Sequence, residues 1–351
     1  MLRVGSDFSG VGAFNQALKR LGVEYKEVFA CDMDKFARET FIHNYGEPEY
    51  YPTNVYDREI SSESLDIYMT SPPCQAFSLA GKRLGKEDKR GILFFNSHEF
   101  IQVNKPRFFI FENVRGLLSD DGGRTFQEWV NMLGGKSVNG LPVLFPHDDA
   151  VPYHLYWQVL NAKHHGVPQN RERVFLIGIR DDTDNNFSFP KDEYLIKRLK
   201  DVLEDNVDDK YFLSEKTIEN LMVYNERQIE NERGFSAKFR DVNKIKTMDA
   251  LKVGGGGKDD LIKIDLCKYN FNTCGNFKYD LCDTCDEGDN YEYLQNDNTY
   301  GIRRLTPREC FRLMDFPDSF SWRVSDSQAY KQAGNSIVVN VLYKILKQLP
   351  L

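Results

Sequence analysis

The sequence lacks an apolar run of membrane-spanning length, an even set of cysteines and an excess of basic residues. Its apolar stretches fall short of the roughly 20 residues that a bilayer span needs. Residues 1–4 enter a strand-like segment directly, so we expect no signal peptide. Seven cysteines argue against a disulfide framework and favour a reducing cytoplasm. The net charge of −7 argues, on its own, against a nucleic-acid partner.

The composition of the chain is that of a globular protein with a sizeable core. It has 351 residues, of which 41% are hydrophobic and 28% charged, and this length is typical of about two domains. From residue 1 to about 187, strand-like and helical segments alternate. This alternation predicts a doubly wound, mostly parallel α/β sheet. The strand candidates are 2–4, 27–30, 66–69, 107–111, 155–159 and 174–178, and the helix candidates are 13–18 and 36–41.

The alternating pattern stops near Pro190. From there to about residue 300 the chain is polar and rich in Asn, Asp and Gly, including the glycine run 254–257. We therefore predict a smaller, loop-rich second domain over 188–325, and a first domain formed by 1–187 with 326–351. The apolar run Ile337–Leu342 predicts a buried final helix that rejoins the first domain, with Asn335 and Ser336 as N-cap types that open it.

A thiol follows the third strand candidate. Pro72 and Pro73 end that strand, since proline cannot donate to a sheet ladder, and Cys74 and Gln75 come next. The carboxyl edge of an open α/β sheet is where ligands bind. Cys74 is therefore a candidate nucleophile, and a buried structural cysteine is the alternative.

A glycine-containing turn follows the first strand, in the segment 7–14. Gly10 and Gly12 allow a tight turn and a close approach of the backbone to a ligand. The turn lacks the full G-x-G-x-x-G pattern, which argues against a dinucleotide. Asp32 closes the second strand, where an acid suits ribose hydroxyls. A nucleoside cofactor without a pyrophosphate fits this pattern better than NAD.

Two further strands carry charged side chains at an end. Glu112 follows the apolar run 108–111, so its partly desolvated carboxyl is a candidate proton donor. Arg171 and Arg173 are two residues apart and share one face of an extended segment. Their guanidinium groups suit a phosphate or the carbonyl of a base. The alternatives are a helix-capping or surface position for Glu112 and a surface ion pair for the arginines.

Together these segments resemble the DNA (cytosine-5)-methyltransferases. The elements Pro72-Pro73-Cys74-Gln75, Glu112-Asn113-Val114 and Gln169–Arg173 occur in that family's order and rough spacing, as do the segments 303–318 and 328–336. The resemblance covers residues 1 to about 187 and about 301–351. It implies a Rossmann-like catalytic domain dependent on S-adenosylmethionine, with a target-recognition domain over the remaining residues.

The resemblance assigns roles to individual residues. Cys74 would add to carbon 6 of a cytosine flipped out of duplex DNA, because a stacked base cannot be reached. Glu112 would hold ring nitrogen 3, and Arg173 would lie near the carbonyl with Arg171 supporting the site. Carbon 5 would then take a methyl group. The residues implied in cofactor binding are Phe8, Gly10, Gly12, Asp32, Met33, Asn54, Asn335 and Ser336.

Residues 75–91 match the family's loop that closes over DNA. They include a basic cluster, which gives a function to local positive charge in an acidic chain. Thr247, just before the glycine run, is expected to contact a phosphate. The DNA-binding residues implied are Gln75, Ser78, Lys82, Arg83, Lys89, Arg90 and Thr247.

The sequence departs from the family at several cofactor positions. The acid that often lies two places before Phe8 is Ser6 here, and Asp7 adjoins the phenylalanine instead. Ala13 replaces a glycine. Met33 stands where a tryptophan often stacks on adenine, and Asn54 where an acid often contacts its amine.

Four cysteines of the recognition region lie within 19 residues, at 267, 274, 282 and 285. Four thiols suit a structural zinc ion. The spacing is not that of a standard zinc ribbon and no histidine supports it, so unligated thiols are the alternative to a zinc site at Cys267, Cys274, Cys282 and Cys285.

The compact length favours a prokaryotic modification methyltransferase with double-stranded DNA as partner and no membrane. We expect a cytoplasmic, nucleoid-associated monomer whose cognate restriction endonuclease is encoded nearby without being bound. The alternatives are a tRNA-methylating branch of the family, whose Cys-Phe-Thr signature is missing here, an inactive DNA-binding paralogue, and a Rossmann oxidoreductase.

Overall fold

The computed structural model describes residues 1–73, 92–230, 239–252, 261–265 and 300–351. Within them, strands and helices alternate as predicted. The strands are β1 (Leu2–Asp7), β2 (Tyr25–Cys31), β3 (Ile67–Thr70), β4 (Phe108–Val114), β5 (Ser137–Val138), β6 (Leu141–Pro142), β7 (Tyr153–Asn161), β8 (Gln169–Asn170), β9 (Glu172–Arg180), β10 (Phe239–Asp241), β11 (Met248–Asp249), β12 (Leu261–Asp265) and β13 (Tyr300–Arg304). The helices are α1 (Ala13–Leu21), α2 (Lys35–Tyr45), α3 (Ile92–Asn104), α4 (Arg124–Leu133), α5 (Glu215–Glu230), α6 (Pro307–Leu313), α7 (Asp326–Asn335) and α8 (Val339–Leu346).

The central sheet has eight strands in the order β2-β1-β3-β4-β9-β7-β5-β6. Strands β2, β1, β3 and β4 run parallel, and β9 lies antiparallel to both β4 and β7. The chain reverses its strand order between β1 and β3, which is the crevice where ligands bind in open α/β sheets. The predicted mostly parallel α/β sheet is confirmed.

Two apolar clusters cover the two faces of this sheet. Ile67 and Met69 of β3 belong to one cluster, with α1 and α8, whereas Tyr68 points into the other, with α3 and α4. Successive side chains of a strand point to opposite faces. The fully buried tetrapeptide of β3 therefore contributes to both layers.

The predicted starting residue of the final helix was wrong. Asn335 is the last residue of α7 and Ser336 follows it, so neither residue opens the last helix. The final helix α8 begins at Val339, after an extended Val338 with φ −69° and ψ 118°. The apolar run from Ile337 therefore begins two residues before the helix, and the extended Val338 is the N-cap residue. Helix α8 packs beside α1.

The region after Pro190 contributes a small three-stranded sheet in the order β10-β12-β13. Leu221 of α5 packs on Leu261 of β12 in a cluster of its own. This cluster is small, in keeping with a polar, loop-rich segment. Among the described helices, none combines the length and the apolar composition needed to cross a membrane.

Candidate active site

The carboxyl ends of four parallel strands meet at one edge of the central sheet. Phe8 follows β1, Asp32 follows β2, Pro72 follows β3, and Glu112 lies near the end of β4. Because β1 to β4 are parallel neighbours, their carboxyl ends share this edge. The sequence candidates Phe8, Asp32 and Glu112, and the Pro72-Pro73 segment that precedes Cys74, are therefore brought together.

The turn after β1 has a backbone that glycine favours. Phe8, Gly10 and Gly12 have φ of 57°, 54° and 82°. A Cβ at Gly12 would lie 2.3 Å from the ring of Tyr45, so Gly12 is required by both conformation and space. At Gly10 a Cβ would meet nothing within 4 Å. The turn thus leaves open space in front of Gly10, as a backbone that approaches a ligand must.

Asp32 anchors that turn from β2. Its Oδ2 accepts a hydrogen bond from Gly10 N at 2.7 Å, and its Oδ1 accepts one from Asp34 N at 2.8 Å. Burial raises the pKa of Asp32, while the two backbone N–H groups act in the opposite direction. Each carboxylate oxygen retains a second lone pair, so Asp32 can still accept ribose hydroxyls.

The other cofactor candidates lie around this turn with different exposures. The side chain of Met33 is 85% exposed. The amide of Asn54 closes its own turn, with Nδ2 donating to Asp57 and Oδ1 accepting from Tyr56 N. Helix α7 docks on α2, because Lys331 donates to Asp34 at 2.6 Å. One helical turn further on, Asn335 is exposed at the end of α7, and the buried Ser336 follows it.

Glu112 and Arg173 form an ion pair, with 3.0 Å between Arg173 Nε and Glu112 Oε1. The pair is possible because β9 runs antiparallel to β4, which places Val114 opposite Arg173. The side chain of Glu112 is 8% exposed and that of Arg173 18%. A carboxyl next to a guanidinium at an accessible strand end can bind a planar group that has both a donor and an acceptor edge.

Asn113 links this pair to the segment that leads to Cys74. Its buried Nδ2 donates to the carbonyl oxygen of Pro72 at 3.0 Å. The end of β4 is therefore bound directly to the Pro72-Pro73 segment. Cys74 itself lies outside the described residues.

Arg171 differs from Arg173 in its surroundings. It is 3% exposed and donates to three carbonyl oxygens, those of Leu251 at 3.1 Å and of Gly334 and Ser336 at 2.9 Å each. Burial lowers the pKa of Arg171 to about 9. The structure thus gives Arg171 contacts that join three segments of the chain.

Gln169 reinforces the same junction. Its Oε1 accepts from Leu251 N at 3.3 Å, and its Nε2 donates to Leu313 O at 2.8 Å. Strand β8 also pairs with β11, whose first residue Met248 directly follows the half-buried Thr247. The segment that contains Thr247 is therefore attached, through a separate two-stranded sheet, to β8, which leads into β9 of the central sheet.

Several sequence candidates lie outside the described residues. These are Cys74, Gln75, Ser78, Lys82, Arg83, Lys89 and Arg90, and the four cysteines at 267, 274, 282 and 285. Over the ranges that the structure does describe, no group of three or more His, Cys, Asp or Glu side chains is arranged to hold a metal ion.

Sequence reasoning missed two contacts of this edge. The hydrogen bond to Pro72 comes from Asn113, the residue next to Glu112. The polar side chain beside the acid was the one indication that the sequence offered. Arg58, which forms a buried ion pair with Asp7, had no signal in its own sequence neighbourhood. The pair is visible only once β1 and the segment after Asn54 are placed together.

Comparison with known proteins identifies the family to which the chain belongs. A family model described as C-5 cytosine-specific DNA methylase matches residues 2–350. The chain belongs to this family. It is therefore a DNA (cytosine-5)-methyltransferase, as the resemblance implied.

Similar curated proteins cover almost the whole chain. Type II methyltransferase M.HpaII of Haemophilus parainfluenzae is 36% identical in an alignment of 349 positions that covers 97% of this chain and 88% of that protein. Type II methyltransferase M.HhaI of Haemophilus parahaemolyticus is 34% identical, over 96% of this chain and 91% of that protein.

Among solved structures, the Entamoeba histolytica methyltransferase EhMeth matches with a TM-score of 0.68 and 17% identity. The match covers 99% of this chain and 97% of that one. At this identity the likeness shows the fold, and it agrees with the α/β architecture described above.

Proposed function

We propose that this methyltransferase modifies cytosine at carbon 5 within a short sequence of duplex DNA, through a covalent adduct of Cys74. The observation that carries the proposal is the pairing of Glu112 with Arg173 beside Asn113, whose amide binds Pro72, two residues before Cys74. An acid, a guanidinium and the proline segment that precedes the thiol meet at the carboxyl edge of the sheet, where ligands of such folds bind.

In this proposal each residue of the edge has a separate task. Arg173 orients the cytosine through its carbonyl oxygen, and Glu112 donates a proton toward ring nitrogen 3, which makes carbon 6 electrophilic. The Cys74 thiolate forms a bond to carbon 6. Carbon 5, made nucleophilic by this addition, then takes the methyl group. Water accepts the proton of carbon 5, the electrons of that C–H bond restore the double bond to carbon 6, and the bond from carbon 6 to Cys74 breaks to release the thiolate.

S-adenosylmethionine is the cofactor that the family implies, and the residues present suit it. The open space at Gly10, the carboxylate of Asp32 and the exposed Met33 offer a backbone approach, a hydroxyl acceptor and an apolar side chain. When bound there, the cofactor supplies an electrophilic methyl group. Phe8, Gly12, Asn54, Asn335 and Ser336 complete the proposed cofactor contacts.

The polar region between the two catalytic segments is the proposed target-recognition domain, over residues 188–325. Thr247 and the basic residues at 82, 83, 89 and 90 are proposed to contact DNA phosphates, with Gln75 and Ser78 near the flipped base. Base edges in a groove would be read by polar side chains of the recognition region. Arg171, through its carbonyl contacts, holds this region against the catalytic sheet.

The similar type II methyltransferases support a role in a restriction-modification system, as the modification partner of an endonuclease encoded nearby. We further propose that the enzyme acts as a monomer on bacterial nucleoid DNA, since one asymmetric cleft can treat a palindrome one strand at a time. A structural zinc at the four clustered cysteines is the remaining part of the proposal.

The substrate class is tested by supplying labelled S-adenosylmethionine with either mixed-sequence duplex DNA or transfer RNA. The proposal predicts label in the DNA and none when Cys74→Ser replaces the wild-type chain. Label confined to the RNA would contradict the proposed substrate and support the tRNA-methylating branch. Elemental analysis of the purified protein tests the zinc site, which is excluded by much less than one equivalent of zinc.

A further inference from the structure

Three buried polar side chains form a cluster behind the proposed cofactor turn. They are Asp7 at the end of β1, Arg58 in the segment between α2 and β3, and Tyr68 in β3. Arg58 Nε lies 2.9 Å from Asp7 Oδ1, and the two side chains are 2% and 0% exposed. Tyr68 Oη donates to Asp7 Oδ2 at 2.6 Å. This group is called the Asp7–Arg58–Tyr68 cluster below.

The cluster is also packed against α3. The guanidinium carbon of Arg58 lies 4.7 Å from the ring centroid of Phe100, and one terminal nitrogen donates to Asn96 O at 3.2 Å. The ring of Phe100 in turn stacks on Tyr68, with 4.3 Å between centroids. A charged group so enclosed has few alternative positions, so its partners are held in a fixed arrangement.

The position of Asp7 in its strand decides which face of the sheet receives the acid. Successive strand residues point to opposite faces. An acid at Ser6, where the family often has one, would point away from Arg58. The acid at Asp7 instead faces Arg58 and Tyr68, and this combination compensates for burying a carboxylate.

Each member of the cluster adjoins a segment with a proposed role in cofactor binding or catalysis. Asp7 directly precedes Phe8, where the backbone enters the turn with positive φ. Arg58 follows Asn54 by four residues, and the backbone of Asp57 bonds to the carbonyl of Asn54 at 3.2 Å. Tyr68 lies in the strand that ends two residues before Pro72.

We propose that Asp7 and Arg58 are positioning residues for the methyl donor, which fix the turn 8–12 and the segment around Asn54 relative to each other. The proposal rests on the proposed cofactor site. A side chain that holds two binding segments in register affects affinity without touching the ligand, since a small misplacement of binding groups has a large effect.

The test compares stability with cofactor binding in the full-length protein. The dissociation constant of S-adenosylmethionine is measured by isothermal titration calorimetry, without DNA, for the wild type, Arg58→Met and Tyr68→Phe. Arg58→Met is expected to weaken binding by about tenfold or more, and Tyr68→Phe by a few-fold. The control is Arg107→Met, which breaks a partly exposed ion pair with Asp66 (Nη1 to Oδ1, 3.1 Å). This pair lies at the amino ends of β3 and β4, whereas the proposed cofactor site lies at the carboxyl edge of the sheet. It should leave the dissociation constant unchanged.

The double variant Asp7→Leu with Arg58→Met separates positioning from stability. Replacing both members of a buried ion pair by apolar side chains often restores stability. The double variant should therefore regain melting temperature relative to Arg58→Met while its binding of S-adenosylmethionine stays weak. Recovery of affinity together with melting temperature would overturn the proposal.

Two further results have distinct meanings. Wild-type affinity in both Tyr68→Phe and the double variant would overturn the positioning role, even if Arg58→Met alone failed to fold. Failure of the wild-type protein itself to bind S-adenosylmethionine would contradict the proposed cofactor site, on which the positioning role depends.

Discussion

At the scale of single residues, the site depends on polar side chains that bind backbone or each other across strands. Glu112 pairs with Arg173, Asn113 binds the Pro72 carbonyl, and Asp32 accepts two backbone N–H groups. These side chains come from different strands, so the sheet fixes their separations. Their contributions can be tested one substitution at a time.

The proton-donating role of Glu112 is tested by Glu112→Gln. The variant keeps the size of the side chain and removes its acidity, so kcat on duplex DNA is expected to fall on the order of 10²-fold or more. The dissociation constant of S-adenosylmethionine should change little. Single-turnover methylation and calorimetric titration measure the two quantities. A variant with wild-type kcat would exclude Glu112 as the proton donor.

Glu27 in β2 predicts a pH dependence of stability. Its buried carboxyl accepts a hydrogen bond from Asn15 at 2.5 Å, and burial raises its pKa to about 8. Because the folded state raises this pKa, the protonated carboxyl of Glu27 contributes its full stabilisation below the unfolded pKa of about 4.3. That stabilisation is lost as pH rises toward about 8, by up to ~1.4 kcal/mol per pH unit.

Glu27→Gln should therefore gain stability relative to the wild type as pH rises. Between pH 5.5 and 7.5 the expected relative gain is about 2 kcal/mol, by the linkage between proton binding and unfolding. Urea unfolding of both proteins at the two pH values measures it. An equal difference between the proteins at both values would show that Glu27 does not titrate in this range.

At the scale of elements, the strands were predictable and their junctions were not. The apolar runs that become β1, β3 and β4 were visible because each is a short apolar segment ended by Gly, Pro or a charged residue. Glu112 and Asp32 were identified from the strand ends alone. The contacts of Arg58 and Arg171 join segments far apart in sequence, and no local pattern encodes them.

The start of the last helix is a second case in which local sequence did not predict the outcome. Asn335 and Ser336 have good capping side chains, so local propensity favoured a helix start there. In the fold, α7 instead runs through Asn335, and the Gly334 and Ser336 carbonyls accept hydrogen bonds from Arg171. A tertiary contact thus satisfies carbonyl groups at the end of α7, where local sequence had favoured the start of a helix.

The junction made by Arg171 is tested by Arg171→Met. Three carbonyls would lose their donor, so the free energy of unfolding is expected to fall by about 2–5 kcal/mol. Arg171→Lys should be similarly poor, because an ammonium cannot span three acceptors as a guanidinium does. Urea unfolding measures the effect.

The control for that measurement is Arg124→Met at the first residue of α4, which forms an exposed ion pair with Asp121 in the preceding segment. An exposed pair contributes little, so its unfolding free energy should change by less than about 1 kcal/mol. Equal losses at the two positions would contradict the junction assigned to Arg171.

At the scale of the whole molecule, an acidic chain with net charge −7 is a DNA methyltransferase. Net charge is therefore a poor guide here, because binding to a polyanion depends on local charge. In the proposal, the basic cluster at residues 82–90 supplies that local positive charge. The proposal therefore assigns DNA binding to this basic cluster rather than to the net charge of the chain.

The salt dependence of DNA binding tests this assignment. Neutralising Lys82, Arg83, Lys89 and Arg90 should reduce the slope of log K against log salt by about 0.9 for each DNA phosphate that the protein no longer neutralises. Fluorescence anisotropy with a labelled duplex measures the slope. The control is Lys26→Ala, at a residue of β2 that pairs with Glu49. An unchanged slope in the variant with all four substitutions would contradict the assignment.

The central claim is tested most directly by bisulfite sequencing of a mixed-sequence duplex after incubation with S-adenosylmethionine and either the wild type or Cys74→Ser. Methylation at carbon 5 protects cytosine from deamination. Protected cytosines within one short sequence motif are expected for the wild type, and none for Cys74→Ser. Full protection by Cys74→Ser, or no protected cytosine with a wild-type protein that binds both the cofactor and DNA, would contradict it.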